Sequence, residues 1–233
     1  MPDEAIRVEE GDVLSKVDRI LDKLVPAPAL ALVERARHVG FPEKTEREIA
    51  VLFMDIEGCT RLCEDLAPRD MNRVIETYFA EYLDIVRGAS GDVTEVLGDG
   101  LVAIFEAADV KVNVASALAA ALRSRARTAD LNRQHADRHD PITLNIGLNT
   151  GRALTGLTRL RGQSAERWVY SATGPVTNIA ARLSALATNG RILTTKATAD
   201  LLPRGCACEP LGPQRLKNVT GPVEVVEVRF QEL

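Results

Sequence analysis

Ile49-Ala50-Val51-Leu52-Phe53-Met54-Asp55-Ile56-Glu57-Gly58-Cys59-Thr60 carries an apolar run straight into a carboxylate and a glycine. An unbroken apolar run predicts a strand buried on both faces, because a half-exposed strand would alternate. The strand ends in a turn at Gly58, and a helix is expected to begin near Cys59. Asp55 thereby stands beside the backbone N–H groups and positive end of a helix. A second carboxylate follows in Glu95-Val96-Leu97-Gly98-Asp99-Gly100. There, Val93–Leu97 and Leu101–Phe105 read as a hairpin turning at Gly98-Asp99-Gly100. Taken singly, Asp55 is a helix cap and Asp99 the occupant of a type I′ turn. Taken together, two acceptor-only carboxylates at strand ends suit a pair of divalent cations, Mg²⁺ or Mn²⁺, with the Ile56 carbonyl as a further ligand. That points to phosphoryl chemistry on a nucleoside triphosphate, held by metal and by the backbone of Gly58, Cys59 and Thr60.

Downstream and between these motifs, strands alternate with helices. Asp70–Arg87 is an amphipathic helix bearing Val74, Tyr78, Tyr82, Ile85 and Val86, and Asp109 to about His135 is a long alanine-rich one. Thr143–Leu148 and Ala153–Leu157 are expected to pair around a turn at Asn149-Thr150-Gly151. A polar arm, Thr158–Arg167, comes next, then a helix over Thr173–Leu186 and strands over Arg191–Thr195 and Val223–Phe230. This order predicts an α+β fold: one mixed, mainly antiparallel sheet covered by helices. Before it, residues 1–42 form a separate N-terminal segment of short helices, with 43–233 as the catalytic domain. Leu14, Val17, Leu21 and Leu24 recur at heptad-like spacing and suggest a dimerising or regulatory stub.

At 233 residues the chain has room for one domain of enzyme size, and its hydrophobic (45%) and charged (27%) fractions exclude wholesale disorder. A net charge of −4 leaves no electrostatic footprint for nucleic acid. No apolar run is long enough for membrane insertion, and the acidic start is no signal peptide, so a cytoplasmic location is expected. The four cysteines, Cys59, Cys63, Cys206 and Cys208, lack zinc spacing and read as reduced thiols. His135 and His139 read as the solvated end of the long helix.

A third motif is Tyr170-Ser171-Ala172-Thr173-Gly174-Pro175-Val176-Thr177-Asn178-Ile179-Ala180-Ala181-Arg182-Leu183. Asn178 and Arg182, four apart, share one helix face and can address one ligand. A guanidinium suits phosphate oxygens and the charge that builds on a phosphorus under attack. Phe53-x-Asp55-Ile56-x-Gly58-x-Thr60, Gly98-Asp99 and Gly174-x-x-x-Asn178-x-Ala180-Ala181-Arg182-Leu183 together resemble the catalytic domain of class III adenylyl and guanylyl cyclases, over roughly Glu46 to Phe230. The resemblance implies a ferredoxin-like core and a homodimer with active sites at the interface. One subunit would supply the metal aspartates Asp55 and Asp99. The other would supply the ribose-positioning Asn178, the transition-state Arg182 and a triphosphate lysine. Lys217 is the match for that lysine, although the family more often has Gly where Asn218 follows it.

The same resemblance assigns base recognition to Glu95 and Ser171. Adenylyl cyclases carry lysine at the position of Glu95. A carboxylate there faces adenine's ring-nitrogen acceptor with another acceptor, which disfavours ATP. Guanine, uracil and cytosine all offer N–H groups. Guanylyl cyclases carry glutamate at this position, which favours GTP and cyclic GMP. The bare catalytic unit, without a sensor domain, resembles the pyrimidine cyclases of bacterial anti-phage systems, which make cyclic UMP or cyclic CMP as a second messenger. A pyrimidine is the first expectation and guanine the alternative. A non-catalytic nucleotide-sensing dimer is the remaining reading, and the intact aspartates and arginine stand against it.

Overall fold

The computed structural model describes residues 25–26, 28–32, 43–59, 62 and 66–229. The heptad-like leucines lie outside them, and within the N-terminal segment residues 28–32 are helical. The described residues divide into two compact units. One joins 156–171 to the residues up to Lys44; the other comprises 45–155 and 172–229.

In the larger unit the apolar run sits in the middle of strand β1 (Thr45–Glu57). Ile49 through Leu52 and Met54 have no solvent exposure, as expected of a strand covered on both faces. Around it are α1 (Pro68–Gly88), β2 (Asp92–Leu97), β3 (Gly100–Phe105), α2 (Val110–Gln134) and β4 (Thr143–Arg161). Then come β5 (Glu166–Thr173), α3 (Pro175–Leu186), β6 (Ile192–Thr195), the single turn α4 (Lys196–Ala199), β7 (Ala207–Gln214) and β8 (Val223–Arg229). The sheet order is β2-β3-β1-β4-β6-β8-β7, with β5 on β4. The β4–β6 pair is parallel and the others for which register is defined are antiparallel, so the α+β expectation holds.

Alternate residues of β1 serve different layers. Ala50, Leu52 and Met54 join Leu101, Ala103 and Phe105 against Tyr78, Tyr82 and Val86 of α1 and Val114, Ala117 and Ala121 of α2. Full burial of the two tyrosine rings contributes about 2–3 kcal/mol each. Their hydroxyls are satisfied by Asn132 at 2.8 Å and Thr128 at 2.6 Å, both on α2. On the opposite face α3 lies close on β4. A Cβ on Gly147 would stand 2.1 Å from the Ala180 carbonyl, so only glycine permits the approach. Leu183 and Ala187 pack there with Leu193 and Val225.

One expectation for the strands fails. No turn interrupts β4 at Asn149-Thr150-Gly151; these residues pair with Val51, Ala50 and Ile49 of β1. Their polar groups are satisfied from outside the strand. Asn149 Nδ2 donates to the Val176 carbonyl (3.2 Å) and the Thr150 amide donates to Thr198 Oγ1 (2.9 Å). β7 is a strand despite Pro210, Gly212 and Pro213, because it lies at the sheet edge and carries its irregularity there, between Pro210 and Gly212. In the smaller unit the polar arm is a hairpin of the end of β4 with β5, closed by the Gly162 amide on the Ala165 carbonyl (2.8 Å) and by Arg159 pairing with Glu166 (2.7 Å).

Candidate active site

Asp55 lies directly across β1–β3 from Gly100, the residue after Asp99. The Ile56 amide donates to the Asp99 carbonyl at 3.0 Å, which ties the two aspartates' backbones together. A Cβ on Gly100 would stand 3.4 Å from Asp55 Oδ1 and 3.2 Å from the Phe53 ring, so the glycine makes room for the carboxylate. Of the two central turn residues only Gly98 has positive φ (63°), which excludes type I′ and matches the II′ pattern.

The site is electrostatically poised for a cation. Burial first, and the Asp99 charge second, push the Asp55 carboxyl up to about 6. Among the described residues no cluster of three or more His, Cys, Asp or Glu side chains exists. Two acceptor-only carboxylates are the donor type that hard divalent ions take. In the metal-free protein the Asp55 carboxylate is the costly form. Its contribution to stability is fully present below the unfolded value near 3.8 and is lost as pH rises through about 6. Asp55→Asn should then stabilise the metal-free protein at about pH 8 by about 1 kcal/mol, the half-exposed site being discounted for screening. It should change little near pH 4, and it should abolish the rise in melting temperature that Mn²⁺ gives the native protein. Thermal melts at both pH values, with and without Mn²⁺, check this.

Cross-strand pairing places Glu95 opposite Val102, and Val102 opposite Phe53. Directly paired side chains share a face, so Glu95 is on the same sheet face as Asp55. A bulge between Val93 and Glu95 shifts the register just there. Gly58 follows β1 with φ 74°, and its carbonyl accepts from the Leu62 amide at 3.0 Å. The Cys59 side chain goes into the core, 6% exposed, so only its backbone is left for a ligand; Thr60 lies outside the described residues.

Helix α3 buries Val176, Ala180, Leu183 and Ser184. Asn178 and Arg182 fall on the opposite side, Asn178 exposed and Arg182 half-buried. They therefore point away from their own sheet. Lys217 is exposed in the β7–β8 connection, where Asn218 adopts φ 62°. Asparagine is one of the few residues other than glycine that tolerates this region, so it keeps the turn that glycine would make. Ser171 closes the arm in the smaller unit, within 2.7 Å of Thr158 Oγ1 and accepting from Lys44 Nζ at 3.2 Å. Lys44 is a contact that sequence spacing does not disclose, 127 residues from its partner. The histidines depart from expectation: His135 caps α2, and with His139 it lines a cavity beside Tyr78.

The sequence profile of the adenylate and guanylate cyclase catalytic domain matches residues 41–228. The terminal-differentiation specific adenylate cyclase of Dictyostelium discoideum is 25% identical over 190 residues, which cover 80% of this chain but 9% of that protein. A bacterial light-regulated adenylyl cyclase superposes with a TM-score of 0.79 at 23% identity, over 97% of this chain and 64% of that one. The guanylate cyclase domain of RhGC from Catenaria anguillulae, solved with GTP, superposes with a TM-score of 0.66 at 20% identity, over 81% of this chain and all of that one. No described helix is long and apolar enough to cross a membrane.

Proposed function

The chain belongs to the adenylate and guanylate cyclase catalytic domain family, and from that premise we propose that it converts a nucleoside triphosphate to a 3′,5′-cyclic mononucleotide and pyrophosphate. The observation that carries this is the Asp55–Asp99 pair, backbone-tied and facing Gly100 across β1–β3. Two Mg²⁺ or Mn²⁺ ions held there would supply activation of the ribose 3′-hydroxyl and neutralisation of the leaving group. Asn178 orients the ribose and Arg182 offsets the charge on the phosphorus under attack. Because both point away from their own sheet, they serve the site of a second copy, and the working unit is a homodimer. Lys217 holds the triphosphate, together with the backbone of Gly58 to Thr60. Pyrophosphate release with a cyclic product supports this reading; orthophosphate or a linear monophosphate would replace it with a hydrolase.

For the base, Glu95 disfavours adenine, since an unpaired, desolvated carboxylate against an acceptor costs several kcal/mol. The Ser171 hydroxyl, with Lys44 donating to its oxygen, can donate its own proton to a carbonyl. A base that offers N–H groups satisfies Glu95, and a pyrimidine, UTP or CTP, is the first reading. GTP satisfies the same pattern and is the second reading. The pyrimidine reading brings with it a second messenger in antiviral defence. Cells carrying the chain should then resist phage, and cells carrying Asp99→Ala should not.

Glu95→Lys turns the acceptor into a donor and should raise the kcat/KM ratio of ATP over the native substrate by roughly tenfold or more. An unchanged ratio would remove Glu95 from base recognition.

A further inference from the structure

Between the start of α1 and the end of α2 lies a cavity of about 500 Å³, the size of a small-molecule site. Arg73, Arg138, His135 and His139 line it together with the apolar side chains of Leu66 and Val74. Asp70 is the one carboxylate among the described lining residues, 3.6 Å from Arg73 in an exposed pair. The imidazoles are held in place from behind: the His139 ring meets Tyr78 edge-on at 5.9 Å and His135 at 6.1 Å. The Tyr78 hydroxyl is in turn fixed to Asn132. His135 Nδ1 is shut off from solvent with no hydrogen-bond partner among the described residues.

Two guanidinium forks and two imidazoles against a single paired carboxylate are the composition of a phosphoryl-binding site. The volume exceeds what inorganic phosphate alone would fill, and the apolar floor gives a carbon skeleton somewhere to rest. We propose that this cavity binds a small phosphorylated molecule, at a site distinct from the carboxylate pair. Its lining includes Leu66. The Leu66 amide donates to the Leu62 carbonyl (2.9 Å) and the Leu62 amide to that of Gly58 (3.0 Å), which links Leu66 to the turn that follows β1.

The test is a titration of the metal-free full chain with inorganic phosphate against matched chloride, read on the imidazole resonances; only three histidines need assignment. His135 and His139 should shift and saturate. In the doubly substituted Arg73→Ala, Arg138→Ala protein, with circular dichroism confirming the fold, the affinity should fall by roughly tenfold or more. Shifts that never saturate, or equal affinity in the double variant, would overturn the proposal.

Discussion

Alanine at Asp99 will lower cyclase activity by roughly a thousandfold or more, because it removes a carboxylate from an arrangement that contributes several kcal/mol to the transition state. The fold should survive. Asp99 is half-exposed in a two-residue turn, and what it gives the scaffold is its backbone carbonyl, which accepts from the Ile56 amide whatever the side chain. Turnover at saturating Mn²⁺, beside circular dichroism and the melting temperature, separates lost chemistry from lost structure. A well-folded variant with near-native turnover would mean that Asp99 is only a turn residue.

Mixing two dead proteins will restore activity. Arg182→Ala alone should be inactive, losing a guanidinium from the charged transition state. In a two-fold dimer each site takes its aspartates from one copy and its arginine from the other. A mixed dimer of Arg182→Ala with Asp99→Ala therefore holds one intact site and one doubly damaged site. Random exchange at equal amounts should recover roughly a quarter of native activity. The expectation rests on Asn178 and Arg182 lying across α3 from the stripe of Val176, Ala180 and Leu183 that seats the helix on its own sheet. If the mixture stays dead while exchange is shown by mass, each copy completes its own site and the interface account fails.

What the chain discloses in one dimension and what it hides follow from where the interactions lie. The run from Ile49 to Met54 announces a central strand because nothing but burial on both faces explains it, and the strand is central. The hairpin at Gly98-Asp99 and the tyrosine-bearing face of α1 were legible for the same local reasons. Asn149-Thr150-Gly151 misleads because its turn-like polarity is satisfied by Val176 and Thr198, groups far along the chain. β7 hides behind prolines that an edge strand tolerates. In the site, Asp55, Asp99 and Glu95 could be ordered from spacing, but the common face of Asp55 and Glu95 depends on cross-strand register and on the bulge beside Glu95. Asn218 looked like a departure from the family pattern, and it adopts the positive φ that glycine takes most readily. The Lys44–Ser171 contact and the basic cavity beside Tyr78 are wholly tertiary.

The most direct test is a competition: purified protein, Mn²⁺ and equal ATP, GTP, CTP and UTP, with products resolved by mass and Asp99→Ala as the blank. A cyclic mononucleotide other than cyclic AMP, cyclic UMP or cyclic CMP first, absent from the blank, is the predicted result. Predominant cyclic AMP would contradict the role given to Glu95, and no cyclic product from any of the four would contradict the cyclase itself.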